Sequence, residues 1–446
     1  MTIEYPCWIS REKTVKIQTK RVIIYKPLYS SFSDKEKTMS VSDNKTNAGK
    51  GIGTLVIGVL SLQLIQQISF AMAPAFADFA KYWPDIPYSR ILMLQTFGYL
   101  CIIPTSILGG AIAGSKIKYK TLSLISIILV LVGVVPFFYH ENFYFVLATR
   151  GIVGCGIGLT FGTAAAVITF LFSGKMRGRM QGVATIVLTC SGVVYSFVGG
   201  LLCAKNVHFV WLIHLFMIIP LVLVILFLRE PTKEELAAAE AETASTEVST
   251  KPDYNWRATL IPFVFGAFMM LPYAVVLNMS AIVDYRGLGS AAVSGTVGAF
   301  YTVGGLVAGV AVGPIYMKFK KYSVIVAVAL MVLGMACAGW GGNVPMLCIS
   351  EFLVGLGTFV LHPVCVRDCN AIVSPKGLMF CGGLFGGTWN AGAFITGFLI
   401  TLANSIGGDA PYIPIQYFTF AAIIAGVVWQ IFRAMRPKAQ EEAGLY

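Results

Sequence analysis

Twelve apolar runs dominate the sequence, at 51–73, 89–114, 121–139, 143–172, 180–204, 208–228, 258–283, 289–316, 322–341, 344–373, 378–404 and 413–435. Each is long enough to cross a hydrocarbon core, which takes about 20 residues of helix. Within hydrocarbon a segment must satisfy its own backbone N–H and C=O groups, which selects helices; a β-barrel would show short alternating segments instead. The runs use most of the 446 residues. The expected fold is an all-α polytopic membrane protein of twelve transmembrane helices. Only 12% of residues are charged, against about 25% in a soluble domain. That excludes a soluble enzyme, a disordered chain and a secreted disulfide scaffold.

The net charge of +12 reads as topology, because Lys and Arg collect in cytoplasmic loops. With the start of the first span inside, the inner segments hold 19 Lys and Arg: Lys116, Lys118, Lys120, Lys175, Arg177, Arg179, Lys318, Lys320, Lys321 and Lys376 in the turns, and the rest in the linker and termini. The opposite side holds only Lys81, Arg90, Lys205 and Arg286. Both termini are therefore expected in the cytoplasm, with the protein in the cell membrane. No nucleic-acid partner is implied; the bilayer is the solvent.

The expected organisation is a polar tail over 1–50, six spans over 51–228, a Glu-rich cytoplasmic linker over 229–257, six more spans over 258–435 and a short tail over 436–446. Met39 opens a polar lead into the first span, and Lys35-Glu36 just upstream can be encoded as a ribosome-binding sequence. Residues 1–38 thus have two readings, an untranslated stretch before a start at Met39 or a disordered tail. Nine of the ten cysteines lie in or beside apolar runs and complete no metal-ligand pattern. No metal and no cofactor is expected.

The two groups of spans repeat. Arg150-x-x-x-Gly154-x-Gly156 in the fourth span matches Glu351-x-x-x-Gly355-x-Gly357 in the tenth, at an offset of 201 residues. The cationic turns beginning at Gly110 and Gly313 match at 203. With an even number of spans in each half, the halves are two pseudo-symmetric bundles related by an axis along the membrane normal, with a site between them near the midplane.

These features resemble the major facilitator superfamily over essentially all of 51–435. Arg150, Gly154 and Gly156 match its fourth-span pattern. Gly110, Lys116, Lys118 and Lys120 match its turn after the second span, although Gly114 and Ile117 replace that turn's acidic residue and second glycine. The segment 172–182, with Arg177 and Gly178, looks like its turn before the fifth span. The Gly-Pro motif of drug antiporters is absent at Tyr195-Ser196, as is the sugar-porter signature after the sixth span. The resemblance implies alternating access by a symporter, an antiporter or a uniporter.

Intramembrane charge is costly and usually faces a cavity or a partner. Arg150 and Glu351 lie at equivalent depths, so an ion pair closing the outer side is one expectation. The other is that Arg150 bonds carbonyls of its own half while Glu351 snorkels outward. Arg367 and Asp368 fall in the inner third of the tenth span, where Arg367 either clamps a carboxylate or snorkels. His362, before Pro363, is a proton relay or a packed imidazole. Gln63 and Gln67 share one face of the first span and suggest a cavity wall. Tyr195, Tyr273, Trp389 and Asn390 offer stacking and hydrogen bonds. Lys318, Lys320 and Lys321 are expected at the second conformational turn.

The expected function is secondary active transport of a small polar solute, an organic anion being favoured by Arg150, Arg367 and His362. Coupling to protons or exchange is expected, with a monomer as the working unit. An exporter of an amphipathic compound is the alternative. A membrane sensor or enzyme is the alternative of a different class; no nucleotide-binding loop, HExxH or GxSxG motif supports it.

Overall fold

The computed structural model describes residues 48–237, 252 and 254–434. The tail with Met39, most of the Glu-rich linker and the last residues, including Arg436 and Lys438, lie outside them. The apolar runs become helices, and among the described residues the one β-type pairing is an isolated bridge between Ala113 and Ile117. Single helices form the second span (Tyr88–Ile112), fourth (Phe143–Leu171), fifth (Gly174–Lys205), eighth (Ala291–Phe319), ninth (Ser323–Trp340), tenth (Val344–Ile372), eleventh (Pro375–Gly407) and twelfth (Ile413–Ala434). The third runs Tyr119–Leu131 and tightens into a 3-10 turn at Val132–Phe137; the sixth has the reverse order, Val207–Met217 then Ile218–Phe227.

Ten described stretches are long and apolar enough to cross a membrane, eleven with one bent pair. One of the ten, Ala291–Trp340, is 50 residues long. As one helix it would measure about 75 Å, more than twice a hydrocarbon core. It is interrupted at Lys320, whose φ of 44° leaves the helical region, and a 3-10 turn follows at Lys320–Tyr322. Read as two spans, the stretch gives the count of twelve.

Two spans differ from the expected plain helices. The first extends to Tyr82, past the expected end at 73, and bends by 46° between Gly53–Gln66 and Ile68–Tyr82. The seventh breaks between Trp256–Met269 and Tyr273–Tyr285, where Pro272 cannot donate to a helix. Gln67 and Met270, at the two breaks, are 203 residues apart. A third difference concerns Arg177 and Gly178, expected in a turn. They belong to the first turns of the fifth helix, which starts at Gly174; Lys, Met and Arg there are good helix formers and no proline intervenes.

The repeat governs packing. A Cβ at Gly154 would fall 2.8 Å from Gly98 Cα of the second span, and one at Gly355 would fall 3.0 Å from Tyr301 Cα of the eighth. Gly156 and Gly357 lie as closely on the third and ninth spans, at Ser126 and Ala327. Ser126 donates to Gly156 O at 2.6 Å and Ser350 to Gly334 O at 2.7 Å, joining the same two pairs of spans. The Gly-x-Gly signature is thus a close-packing device used identically in each half.

At the end that carries the Lys-rich turns, Glu230 accepts from the backbone N–H groups of Tyr119 (3.0 Å) and Lys120 (2.7 Å). It places a carboxylate on the N-terminus of the third span, where the helix dipole favours it. Lys120 donates to Ile225 O at 2.7 Å. The turn after the second span is therefore tied to the sixth span of its own half, with Gly114 at φ +73°. Lys116 and Lys118 are exposed. Arg177 Nε donates to Phe172 O at 3.0 Å. Lys318 and Lys321 lie over the rings of Phe319 and Tyr322. The linker begins with a two-toothed Arg229–Glu235 pair at 2.8 and 2.6 Å. Its bonds, with help from Thr232, pull the Glu235 carboxyl down to about 2.

Candidate functional site

The two halves meet along the fifth and eighth spans and along the second and eleventh. Contacts between them gather at the end that carries Lys81 and Asp284, the side expected to face outward. Gly200 and Gly295 cross so closely that a Cβ on either would lie 2.8 Å from the other's Cα, and Ser196 donates to Gly295 O at 3.1 Å. Ser280 of the seventh span donates to Pro74 O at 2.8 Å and accepts from Ala77 N at 3.2 Å. Lys81 and Asp284 pair at 2.5 Å. Tyr99 and Tyr273 share a hydrogen bond at 2.5 Å, with Gln95 donating to both.

Toward the opposite end, Thr302 lies against Gly192 between the fifth and eighth spans and a Cβ at Gly387 would lie 3.8 Å from Ile103 between the second and eleventh, whereas a Cβ at Gly182, Gly309, Gly382 or Gly386 would meet nothing within 4 Å. Close contact between the halves is thus seen at the Lys81–Asp284 end, with open space beside several glycines toward the other.

Glu351 lies in the seam of close contact. It is fully buried, and neither carboxylate oxygen has a hydrogen-bond partner. It lines a pocket with Phe70, Ala73 and Pro74 of the broken first span, Val276, Met279 and Ser280 of the seventh, and Ser196 and Ser294. The pocket holds about 10 Å³ of free space, scarcely one water. Breaks at equivalent positions of two repeats are a pointer to the working site of a transporter, and Glu351 lies beside both.

Arg150 is also buried, but in its own half. Its Nε donates to Leu94 O at 2.8 Å, and its Nη1 lies 2.9 Å from His214 Nε2; His214 Nδ1 in turn lies 3.0 Å from Trp211 O. No ion pair joins Arg150 to Glu351, and Glu351 does not snorkel outward. Of the two expectations for Arg150, carbonyl bonding within its own half holds here, with His214 as an added partner. His214 and Gln95 gave no signal in the sequence, because each sits singly in an apolar run.

An aromatic cluster lies in the C-terminal half. His362 packs against Phe265, Phe385 and Trp389 with ring centroids 5.3–5.6 Å apart. Phe359 and Tyr301 extend the cluster to Phe70 of the other half. Asn390 donates to Gly386 O of its own helix at 2.8 Å. Arg367 lies with its guanidinium 3.7 Å from the Tyr316 ring centroid, while Asp368 is buried. Gln63 is buried and accepts from Gln66 at 3.2 Å; Gln67 sits at the break itself. Tyr195 serves that break, donating to Leu64 O at 2.8 Å where the interrupted helix leaves a carbonyl free.

The family model described as Major Facilitator Superfamily matches residues 54–289. Three solved structures share the fold. A POT family transporter in complex with 5-aminolevulinic acid is 15% identical, with a TM-score of 0.64 over 86% of this chain and 96% of that one. An auto-inhibited POT family peptide transporter is 10% identical, at 0.67 over 87% and 97%. A point mutant of the nucleoside transporter NupG is 11% identical, at 0.65 over 85% and 99%. No curated protein matches the chain in sequence. With more than half its length matched by that model, the chain belongs to the major facilitator superfamily of membrane transporters.

Proposed function

We propose that the protein couples the movement of a small polar solute to protons by alternating access, with Glu351 carrying the proton. The observation behind this reading is the burial of Glu351 with both oxygens unpartnered. An ionised carboxylate without a donor costs several kcal/mol to bury, far more than the neutral acid. Closing the outer seam over Glu351 therefore goes with taking up a proton. Release of that proton toward the inner cavity leaves a charge the closed seam disfavours, and the seam reopens. One turn of this cycle carries a proton inward with the solute.

An organic anion is the solute class we favour, on two groups: the guanidinium of Arg367 at the inner end and the imidazole of His362 in the aromatic cluster. Arg150 no longer contributes, since its guanidinium is engaged within its half. The charge asymmetry of the loops supports an orientation in the cell membrane with both termini cytoplasmic.

Proteoliposomes test the coupling. With an inward proton gradient the native protein should accumulate solute. Glu351→Gln, which mimics the neutral acid, should lose accumulation while retaining solute-for-solute exchange. Normal gradient-driven accumulation by Glu351→Gln would refute the reading.

A further inference from the structure

The outer seam is built differently on its two sides. Where the fifth and eighth spans cross at Gly200 and Gly295, the second and eleventh have no glycine in the corresponding stretches. At offsets of 201–203 residues, Gly295 corresponds to Leu92–Leu94 and Gly200 to Thr401–Ala403. A crevice of about 500 Å³ lies between the two helices near their outer ends. Its mouth carries Ser89, Arg90 and Ser405, and its deeper part Met93, Phe398 and Leu402. From Ser405 to Phe398 the helix descends about 10 Å, the depth from a headgroup layer to the first acyl carbons. Phe398 and Leu402 are more than half exposed. Arg90 is exposed too, yet its guanidinium is fixed, donating to Tyr144 Oη of the fourth span at 3.1 Å.

We propose that this crevice seats one outer-leaflet phospholipid with an anionic headgroup. The phosphate lies on Arg90, with Ser89 as a hydrogen-bond donor and Ser405 at the rim, and an acyl chain runs along Met93, Phe398 and Leu402. The polarity gradient, cationic at the water edge and apolar below, selects a lipid over a soluble anion, which would leave the lower part unfilled. A single cation near the headgroup layer favours an anionic over a zwitterionic lipid by about five-fold. The proposal does not depend on proton coupling.

The test is native mass spectrometry of the full chain released from vesicles of equal phosphatidylglycerol and phosphatidylcholine. The native protein should retain one phosphatidylglycerol about five-fold over phosphatidylcholine. Arg90→Gln should bring the ratio near one, and Leu402→Trp, which fills the crevice, should remove the retained lipid. Ser405→Glu leaves Arg90 and the packing in place and should also expel phosphatidylglycerol. Equal retention of both lipids by the native protein, or a preference that survives Arg90→Gln or Leu402→Trp, overturns the proposal.

Discussion

Lys81 and Asp284 stand 203 residues apart, at equivalent positions of the two halves, and their side chains meet at 2.5 Å. Ala77 and Ser280, at the same separation, meet one turn deeper. A pseudo-twofold axis brings equivalent residues together only where it passes between them, and here it passes between the outer ends of the first and seventh spans. Arg150 and Glu351 are equivalent in the same sense, yet each is held within its own surroundings. A repeat-related ion pair thus joins the halves at this end, at the first and seventh spans and not at the fourth and tenth.

Reversing Lys81 or Asp284 should open the outer side without unfolding the protein. The side chains are 60% and 43% exposed, so the pair contributes no more than about 1 kcal/mol and weakens with salt. Lys81→Asp or Asp284→Lys alone should shift the balance toward the outward-open state by up to about five-fold. The double swap should restore it. Distances between spin labels at the outer ends of the second and eighth spans read the populations; a swap no better than its single variants would place the closure elsewhere.

The spans and the repeat were legible because both rest on local pattern: apolar length for the spans, and Gly-x-Gly beside a single charge for the repeat. The bend of the first span was not. Gln67 is no helix breaker, and the break is sustained by Tyr195 donating to Leu64 O from 131 residues away. The His214 partner of Arg150 was equally hidden, since a histidine within an apolar run has no local mark of its role. Lys81 and Asp284 did carry a signal, in opposite charges at the repeat offset, but both lie beyond the expected ends of their spans.

Arg150 should act first on stability. Removing it by Arg150→Ala takes the side-chain donor from Leu94 O and leaves His214 Nε2 without its partner, at a cost of about 2–4 kcal/mol. A double-mutant cycle of Arg150→Ala with His214→Ala should show a coupling of at least about 1 kcal/mol. The same cycle with Glu351→Gln should show none beyond about 0.5 kcal/mol in the outer-closed state. Thermal unfolding in a fixed detergent supplies these values, and strong coupling to Glu351 would restore the expected ion pair.

The start of the linker should resist acid. Glu235 is held at about 2, below the ordinary carboxylate range, mainly by its bonds to Arg229. A depressed carboxyl stabilises above its unfolded value and loses that contribution as pH falls through the folded one. The Arg229–Glu235 clasp should therefore persist at pH 4 and release only near pH 2. Amide exchange over 229–237, corrected for the intrinsic pH dependence, tests this; Glu235→Gln should expose the segment already at pH 7.

Glycine substitutions should trap opposite conformations. A side chain at Gly295 collides with the backbone of Gly200 and Ser196, at 2.6–2.8 Å, and neither partner can move without parting the halves. Overpacking of this kind costs about 1–3 kcal/mol, enough to favour the outward-open state by about 5–150-fold. Gly386 faces open space in the conformation described, so Gly386→Leu costs little there. Closing the inner side requires the inner ends of the halves to approach, and the same leucine then obstructs them. Gly295→Leu should leave a cysteine placed at Gly298 reactive to an impermeant reagent applied outside; Gly386→Leu should protect it. Both should abolish net transport, Gly295→Leu by blocking outer closure and Gly386→Leu by blocking inner closure. Equal reactivity in the two variants would mean that these seams are not the moving gates.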